Sequence, residues 1–511
     1  TLYMATEDTR AITKRFSCKK TSPDNMKFSV SLNPENMGVA GVDYEQPYEV
    51  NISTFEGDWY DGCKKYRKWG IENKYANFGK GKIEDRKDLP QWYKELPVWL
   101  RQEGFTEVQI SRIIDFAKYL DVPVASHTYY WSQYGFDTHY PDILPAHDIY
   151  VEQIKRMHDA NIKVMPYTNG QMADLALGNF AKEKNKEILI INEEGSPISE
   201  NWPHAIAQGA DNYVICPGSE YIDFQIENFG NIAKDLGIDA LYVDEVCAGS
   251  GMPCFNWRHN HPMGGSYFRV EQYNRLFDNA RGEMNKYVND GVIITSESGA
   301  EPYTIDGWLR CNECDPMLDD CAAQTVVHSG YATSFGFYYY PAEFTNDNAQ
   351  GAINKTAIAL SKGYQLGWGF GWIDYNEFPL FAKYIKCACK ARHKAYKYFN
   401  LGEMVRNVKI ISELPKKNCY YQNFALEYNL DYPAVRTCSH NYKGKTAVTF
   451  TNIINEKVTF DWESFGKGLG LKDKKSYTIS EFYPTEKEIS KGEIKGTVTL
   501  EPLETKILII E

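Results

Sequence analysis

A repeated alternation of short apolar runs and amphipathic helical patterns constrains the fold more than any other feature of the chain. The apolar runs lie at residues 98–100, 122–125, 162–165, 240–243, 292–295, 307–309, 333–337 and 364–368. Between them apolar residues recur with helical spacing, as at 106–119, 146–160, 218–236, 267–288 and 351–362. Eight strand-like runs joined by helical crossovers over about 300 residues predict an α/β fold, a (β/α)8 TIM barrel.

The segments on either side of the predicted barrel have a different pattern. Residues 1–95 begin with alternating apolar and polar residues punctuated by Gly and Pro, which predicts a β-rich N-terminal segment followed by a connector. In residues 401–511 short apolar runs are separated by Lys, Gly and Asn turns, which predicts a C-terminal antiparallel β-sandwich. The predicted barrel therefore occupies residues 96–400.

Composition excludes several classes of function. No run approaches the 18 or so apolar residues of a membrane helix. The 56 basic residues are outnumbered by 68 acidic ones and form no basic cluster, which argues against a nucleic-acid partner. Aromatic residues make up 14% of the chain, which suits a carbohydrate-binding surface and equally a large, well-packed core. No basic and apolar leader is visible, so cytoplasmic and exported locations both stay open, as does the oligomeric state.

Carboxylates follow two neighbouring predicted strands. The fourth run ends in Asp244 and Glu245, and the fifth ends in Glu297. Reacting groups of a barrel project from the C-terminal ends of its strands. A retaining glycosidase needs two carboxyls about 5–5.5 Å apart. We therefore predict Asp244 as the nucleophile and Glu297, with a pKa raised by burial and by the nearby carboxylate, as the general acid/base.

Two other pairings stay open. Glu245 with Glu343, which follows the seventh run, would match the two glutamates of many β-glycosidases, although those enzymes usually carry Asn where this chain has Asp244. Asp244 with Asp306, beside the sixth run, would match the two aspartates of α-galactosidases.

Other polar and aromatic residues near predicted strand ends are candidates for substrate binding. Trp131 is the best candidate for stacking on a sugar ring, and the loop histidines could hydrogen-bond sugar hydroxyls. The full set is Trp131, Tyr167, Asn169, Glu245, His259, His261, Glu301, Asp306, Glu343 and Asp374.

The twelve cysteines are too dilute for a disulfide scaffold. Cys247 and Cys254 could close a small loop as a disulfide. A weaker hypothesis is a zinc site formed by Cys311, Cys314 and Cys321 with His328. Unpaired structural thiols are favoured over that site, and glycoside hydrolysis by two carboxyls requires no cofactor.

Several motifs together resemble one bacterial family. They are YVDE at 242–245, HNHPMGG at 259–265 and TSESGAEPY at 295–303, and the resemblance covers about residues 40–375. The family consists of TIM-barrel, glycosidase-like proteins catalogued as a domain of unknown function. The barrel is also distantly similar to the α-amylase and endo-α-N-acetylgalactosaminidase clans.

The resemblance to those clans implies a strand-four Asp nucleophile and a strand-five Glu acid/base, which are Asp244 and Glu297 in this chain. It implies hydrolysis of α-linked oligo- or polysaccharides, with α-galactosides or α-N-acetylgalactosaminides favoured. Glu245 departs from the pattern because relatives are expected to carry a neutral amide there. The alternatives are a non-catalytic glycan-binding protein, a β-glycosidase and a zinc-dependent hydrolase.

Overall fold

The N-terminal segment consists of two antiparallel strand pairs. A computed structural model gives the structure of the chain and describes residues 1–104, 106–249, 251–311, 321–369, 376–423 and 426–511. The segment contains β1 (Leu2–Thr6), β2 (Lys14–Ser22), β3 (Asn25–Leu32) and β4 (Val50–Thr54), with β1 paired to β4 and β2 to β3. It leads into the barrel through α1 (Trp59–Glu72), α2 (Asn77–Lys80) and α3 (Gln91–Glu95). A capping box formed by Asp58 and Asp61 begins α1.

Strands and helices then alternate as predicted. The first half contains β5 (Val98–Glu103), α4 (Glu107–Leu120), β6 (Val124–Tyr129), α5 (Asp148–Asp159), β7 (Ile162–Asn169), β8 (Met172–Asp174), α6 (Asn179–Lys184), α7 (Pro203–Ile206), β9 (Asn212–Val214), α8 (Tyr221–Leu236) and β10 (Ala240–Asp244). The second half contains α9 (Phe268–Met284), β11 (Ile293–Glu297), β12 (Gly307–Leu309), α10 (Ala323–His328), β13 (Thr333–Phe335), α11 (Ala342–Thr345), α12 (Gln350–Ser361), β14 (Leu366–Gly367) and α13 (Pro379–Lys394).

Eight of these strands form a parallel barrel in the order β5, β6, β7, β10, β11, β12, β13 and β14. β14 pairs with β5, and a parallel bridge between Phe335 and Gln365 joins the last two strands. All six residues of β6 are buried, as expected where helices cover one face of a parallel strand and the barrel interior the other. β8 and β9 form a separate antiparallel pair within the long loop that follows β7.

The C-terminal region consists of two antiparallel sheets and a separate antiparallel strand pair. Its strands are β15 (Glu403–Val405), β16 (Lys409–Ile410), β17 (Lys416–Asn423), β18 (Leu426–Pro433), β19 (Val435–Tyr442), β20 (Lys445–Asn452), β21 (Val458–Glu463), β22 (Tyr477–Tyr483), β23 (Lys487–Gly492), β24 (Lys495–Leu500) and β25 (Thr505–Ile510). A six-stranded sheet contains β20, a three-stranded sheet contains β21, and β17 pairs with β18. Phe450 of β20 packs against Phe460 and Trp462 of β21, so the two sheets enclose a common core.

The architecture confirms the predicted fold class, a TIM barrel with a β-rich N-terminal segment and a C-terminal antiparallel sheet region. Among the described residues, every helix is either too short or too polar to cross a lipid bilayer.

Candidate active site

Asp244 and Glu297 end neighbouring strands of the barrel. Tyr242 of β10 is in register with Thr295 of β11, so Asp244 and Glu297, two residues further on, are laterally adjacent. Side chains two residues apart in a strand point to the same face. Adjacent strands are about 4.8 Å apart. The sequence spacing and the strand register therefore place the two carboxyls as neighbours at the C-terminal mouth of the barrel.

Two tyrosines hold the Asp244 carboxylate. The Tyr242 hydroxyl donates to Oδ1 at 2.7 Å, and the Tyr167 hydroxyl donates to Oδ2 at 2.7 Å. Tyr167 lies in β7, the strand on the other side of β10, where Asn169 is in register with Asp244. Both oxygens of the proposed nucleophile are thus oriented by phenol donors from the barrel wall.

The environment of Asp244 raises its pKa from 3.8 to about 8. Burial is the largest cause, and the negative charge of Glu297 is the second. The tyrosine hydrogen bonds act in the opposite direction because they stabilise the ionised form. A raised pKa on Asp244 is not among the predictions from the sequence.

Glu245 follows Asp244 in a left-handed conformation, with φ of 65°. Its side chain is buried, and its pKa is raised well above the usual value by burial and then by the charge of Asp244. Ser298, which follows Glu297, also has a positive φ of 58°. Sparsely populated backbone conformations cluster at functional sites, and here they occur directly after both candidate carboxylates.

Glu297 is partly exposed at the barrel mouth. The Cys311 thiol lies 3.6 Å from its Oε1. Cys311 follows the sixth barrel strand, β12, so this contact joins consecutive strand ends. Cys311 is one of the predicted zinc ligands, and this contact shows that its thiol faces the carboxylate pair.

Asp137 is a buried carboxyl that the sequence analysis did not select. It accepts hydrogen bonds from the Tyr167 hydroxyl at 3.1 Å and from the Tyr140 hydroxyl at 3.3 Å, and His204 Nε2 lies 2.9 Å from its other oxygen. Burial raises its pKa. Asp137 therefore shares the Tyr167 hydroxyl with Asp244. It lies in the loop after β6, and no local sequence signal separates it from ordinary loop acids.

Arg101 of β5 lies among aromatic rings of the barrel and was also not selected as a candidate from the sequence. Its guanidinium lies 4.7 Å from the Tyr129 ring centre, 4.5 Å from that of Trp368 and 5.3 Å from that of Tyr338. These distances fall within the range of cation–π contacts. The only sequence signal is its position at the end of the first apolar run.

The structure corrects the predicted role of Trp131. Its side chain is only 2% exposed, and its indole nitrogen donates to the Tyr167 carbonyl at 2.7 Å. Trp131 therefore supports the backbone of Tyr167 from within the core, and its ring face is not offered for sugar stacking. Asn169 is also buried, and its Oδ1 accepts from the backbone of Gln171 and Met172, which shapes the turn after β7.

His259 and His261 lie together with two cysteines. One ligand atom from each of Cys216, Cys254, His259 and His261 lies within 4.8 Å of the other three. The predicted Cys247–Cys254 disulfide is wrong, since both are free cysteines. The helical turn after β10 directs the backbone of Cys247 toward Ser296 instead.

The predicted zinc site at residues 311–328 is not formed by its described members. His328 Nε2 lies 3.1 Å from Glu301 rather than facing a thiol, and its ring stacks on Phe78. Cys314 and the predicted binding residue Asp374 lie outside the described residues. Glu301 also accepts from the Tyr66 hydroxyl and lines a cleft of about 600 Å³ between the N-terminal segment and the barrel.

Asp306 lies at the opposite end of the barrel from the carboxylate pair. It precedes β12, whereas Glu297 is in register with Leu309, the last residue of that strand. Asp306 is 1% exposed, and its carboxylate binds Arg281 at 2.5 Å and Arg86 at 2.9 Å. The prediction that Asp306 could pair with Asp244 is therefore wrong, because Asp306 lies at the start of its strand and Asp244 lies at the end of its own.

Glu343 is fully buried and binds Lys355 at 2.5 Å. Its oxygens also accept from the backbone of Tyr340 and Gln422, and Gln422 belongs to the C-terminal region. A carboxylate so enclosed joins α11 and α12 to β17. The alternative pairing with Glu245 lacks an accessible second carboxylate for that reason.

Comparison with known proteins identifies a family and several relatives. Residues 44–340 match a family model described as a domain of unknown function, DUF6259. A protein of Bacteroides thetaiotaomicron named "Putative glycoside hydrolase" is 24% identical over 381 residues, covering 72% of this chain and 53% of its own length. "Putative glycoside hydrolase 22789" of Monosiga brevicollis is 22% identical over 406 residues, covering 72% and 33%. The chain thus spans between a third and about half of these relatives.

Among solved structures, the α-N-acetylgalactosaminidase NagBb of Bifidobacterium bifidum is similar in fold. The TM-score is 0.54 at 14% sequence identity, and the similarity covers 80% of this chain and 64% of that enzyme. The family model spans more than half of the 511 residues and includes the strands that carry Tyr167, Asp244 and Glu297. The chain therefore belongs to the DUF6259 family.

Proposed function

We propose that this protein is a retaining glycoside hydrolase in which Asp244 is the nucleophile and Glu297 the general acid/base. The observation that carries the proposal is the lateral adjacency of these two carboxyls at the C-terminal ends of β10 and β11. Strand spacing of about 4.8 Å suits the separation of about 5–5.5 Å that retaining enzymes use. The names of the two curated relatives support glycosides as the substrate class.

In the first step an Asp244 oxygen attacks the anomeric carbon, and the bond to the glycosidic oxygen breaks. That oxygen leaves with the proton of Glu297. In the second step Glu297 takes a proton from water, whose oxygen attacks the anomeric carbon and releases Asp244. Tyr167 and Tyr242 orient Asp244 throughout, since each donates to a different oxygen.

The substrate class that we propose is α-linked oligo- or polysaccharides, with α-galactosyl or α-N-acetylgalactosaminyl groups favoured. Support comes from the residue pattern, Asp on the fourth barrel strand and Glu on the fifth, which is similar to that of the α-amylase and endo-α-N-acetylgalactosaminidase clans.

The test is a screen of the wild type, Asp244→Ala and Glu297→Ala against aryl α- and β-glycosides and natural oligosaccharides. Asp115→Ala, an exposed acid on α4, is the matched control. Hydrolysis by wild type and control alone, with azide restoring activity to Glu297→Ala on an activated substrate, supports the proposal. Proton NMR of the first product gives the anomeric outcome. Undiminished activity in both site variants would refute the assignment, and glycan binding without turnover by wild type would favour a binding protein.

A further inference from the structure

Four metal-ligating side chains meet in the loops above the barrel. Cys216 follows β9, and Cys254, His259 and His261 lie in the loop between β10 and α9. Their ligand atoms all lie within 4.8 Å of one another, with the Cys216 sulfur 3.1 Å from His261 Nε2 and the Cys254 sulfur 3.5 Å from His259 Nδ1. Two thiols and two imidazoles within this radius match the ligand set of a structural zinc site.

The second nitrogen of each imidazole is held by a backbone carbonyl. His259 Nε2 lies 2.8 Å from the Glu187 carbonyl, and His261 Nδ1 lies 2.8 Å from the Pro262 carbonyl. Carbonyl oxygens only accept hydrogen bonds, so these nitrogens carry the protons. The Asn256 amide nitrogen also lies 3.1 Å from His259 Nε2, but it donates its two protons to the carbonyls of Lys186 and Leu189. The lone pairs of His259 Nδ1 and His261 Nε2 then face the two sulfurs. Metal-binding histidines are oriented in this way by a carbonyl or carboxylate behind the ring.

We propose that Cys216, Cys254, His259 and His261 bind one structural Zn²⁺ ion. A tetrahedral zinc ion with bonds of about 2.3 Å to sulfur and 2.0–2.1 Å to nitrogen separates its ligand atoms by about 3.3–3.8 Å. Thiolate and imidazole ligands together favour zinc over magnesium or calcium. Four protein ligands leave no open position, so the ion stabilises the structure and takes no part in hydrolysis.

The site joins two loops that the main core does not cover. Ile190, Val214 and Phe268 form a small separate apolar cluster with Cys216 and Cys254. Backbone hydrogen bonds from Cys216 to Ile188 and from Cys254 to Gly264 fix the two cysteines in their own loops. Such a small apolar cluster supplies little burial, so a metal crosslink would account for how these loops hold their shape.

The metal content of the purified full chain tests the proposal. We expect about one zinc per chain by mass spectrometry of the metal in wild type, and less than a tenth of that in the double variant Cys216→Ser/Cys254→Ser. Cys438→Ala, a buried cysteine in β19 outside the cluster, should keep its zinc. Removal of the metal by a chelator should lower the Tm, and added Zn²⁺ should restore it.

Two further measurements guard against a misfolded double variant. His261→Cys retains four ligands and should keep zinc, whereas His261→Ala should lose it. Cobalt-substituted wild type should show the visible absorption of tetrahedral cobalt with thiolate ligands. The proposal would be overturned if purified wild type contains no zinc and also binds none when it is refolded in the presence of Zn²⁺. A Cys216–Cys254 disulfide found by peptide mapping would overturn it as well. Metal content does not depend on glycosidase activity, so the two proposals fail separately.

Discussion

Tyr242→Phe tests whether phenol donors set the ionisation of the proposed nucleophile. The Tyr242 hydroxyl donates to Asp244 at 2.7 Å. Because Tyr242 is buried, water cannot freely take the place of this hydroxyl when it is removed. A hydrogen bond to a charged group contributes about 1.5–3 kcal/mol. At about 1.4 kcal/mol per pKa unit, its loss raises the pKa of Asp244 by about 1–2 units.

The sign follows from which form the donor stabilises. The phenol stabilises the carboxylate, so its removal favours the protonated acid, which is not a nucleophile. The acid limb of kcat/KM should therefore move to higher pH in Tyr242→Phe. At pH values below the pKa of Asp244, kcat/KM of Tyr242→Phe should be roughly 10- to 150-fold lower than that of wild type. The difference between the two proteins should narrow as the pH rises.

The assay is the pH profile of kcat/KM on the best aryl glycoside from the screen. Titration of carboxyl-labelled aspartate by ¹³C NMR provides the same pKa without relying on turnover. Tyr384→Phe is the matched control, because this buried tyrosine bonds only to Thr451 among the hydroxyl contacts described and lies far along the chain on α13. An unmoved acid limb and an unmoved Asp244 resonance in Tyr242→Phe would refute the reasoning.

Three other predictions address the same carboxylates and their surroundings. Glu297→Gln should lower the pKa of Asp244 by removing the neighbouring charge, and an unchanged ¹³C titration would contradict this. Asp244→Asn should raise the Tm at neutral pH. The pKa of Asp244 in the folded protein lies above its ordinary value, so wild-type stability falls as the pH rises from about 4 to about 8. The Tm difference between Asp244→Asn and wild type should therefore widen across that window. A constant difference would contradict the reasoning. Lys355→Met should lower the free energy of unfolding in urea by about 3–5 kcal/mol by leaving Glu343 buried without its partner, whereas the exposed control Lys234→Met should change it little.

The barrel could be predicted because its signal is local. Strand-like runs and helical spacing recur along the chain, because parallel strands buried on both faces have mostly apolar residues in near-continuous runs. Helices predicted at 106–119 and 218–236 are observed as Glu107–Leu120 and Tyr221–Leu236. The positions of Asp244 and Glu297 at strand ends follow from the same pattern.

Predictions that depended on side-chain direction fared worse. Trp131 lies in an aromatic triplet whose sequence does not indicate which ring turns inward, and packing placed its indole under Tyr167. Asp306 comes directly before an apolar run of only three residues, and so short a run leaves the bounds of that strand open in the sequence. Burial against Arg86 and Arg281 is what assigns it to the far side of the barrel.

The sequence by itself determined the order of strands and helices and the acidic residues that follow the fourth and fifth strands, because both depend on neighbours along the chain. Only the tertiary structure decided which distant residues meet. Tyr167 reaches Asp244 across 77 residues, and Cys216 reaches His261 across 45. Such contacts are set by barrel closure and loop packing, in which each strand end meets residues from other turns of the barrel, and no local pattern records them.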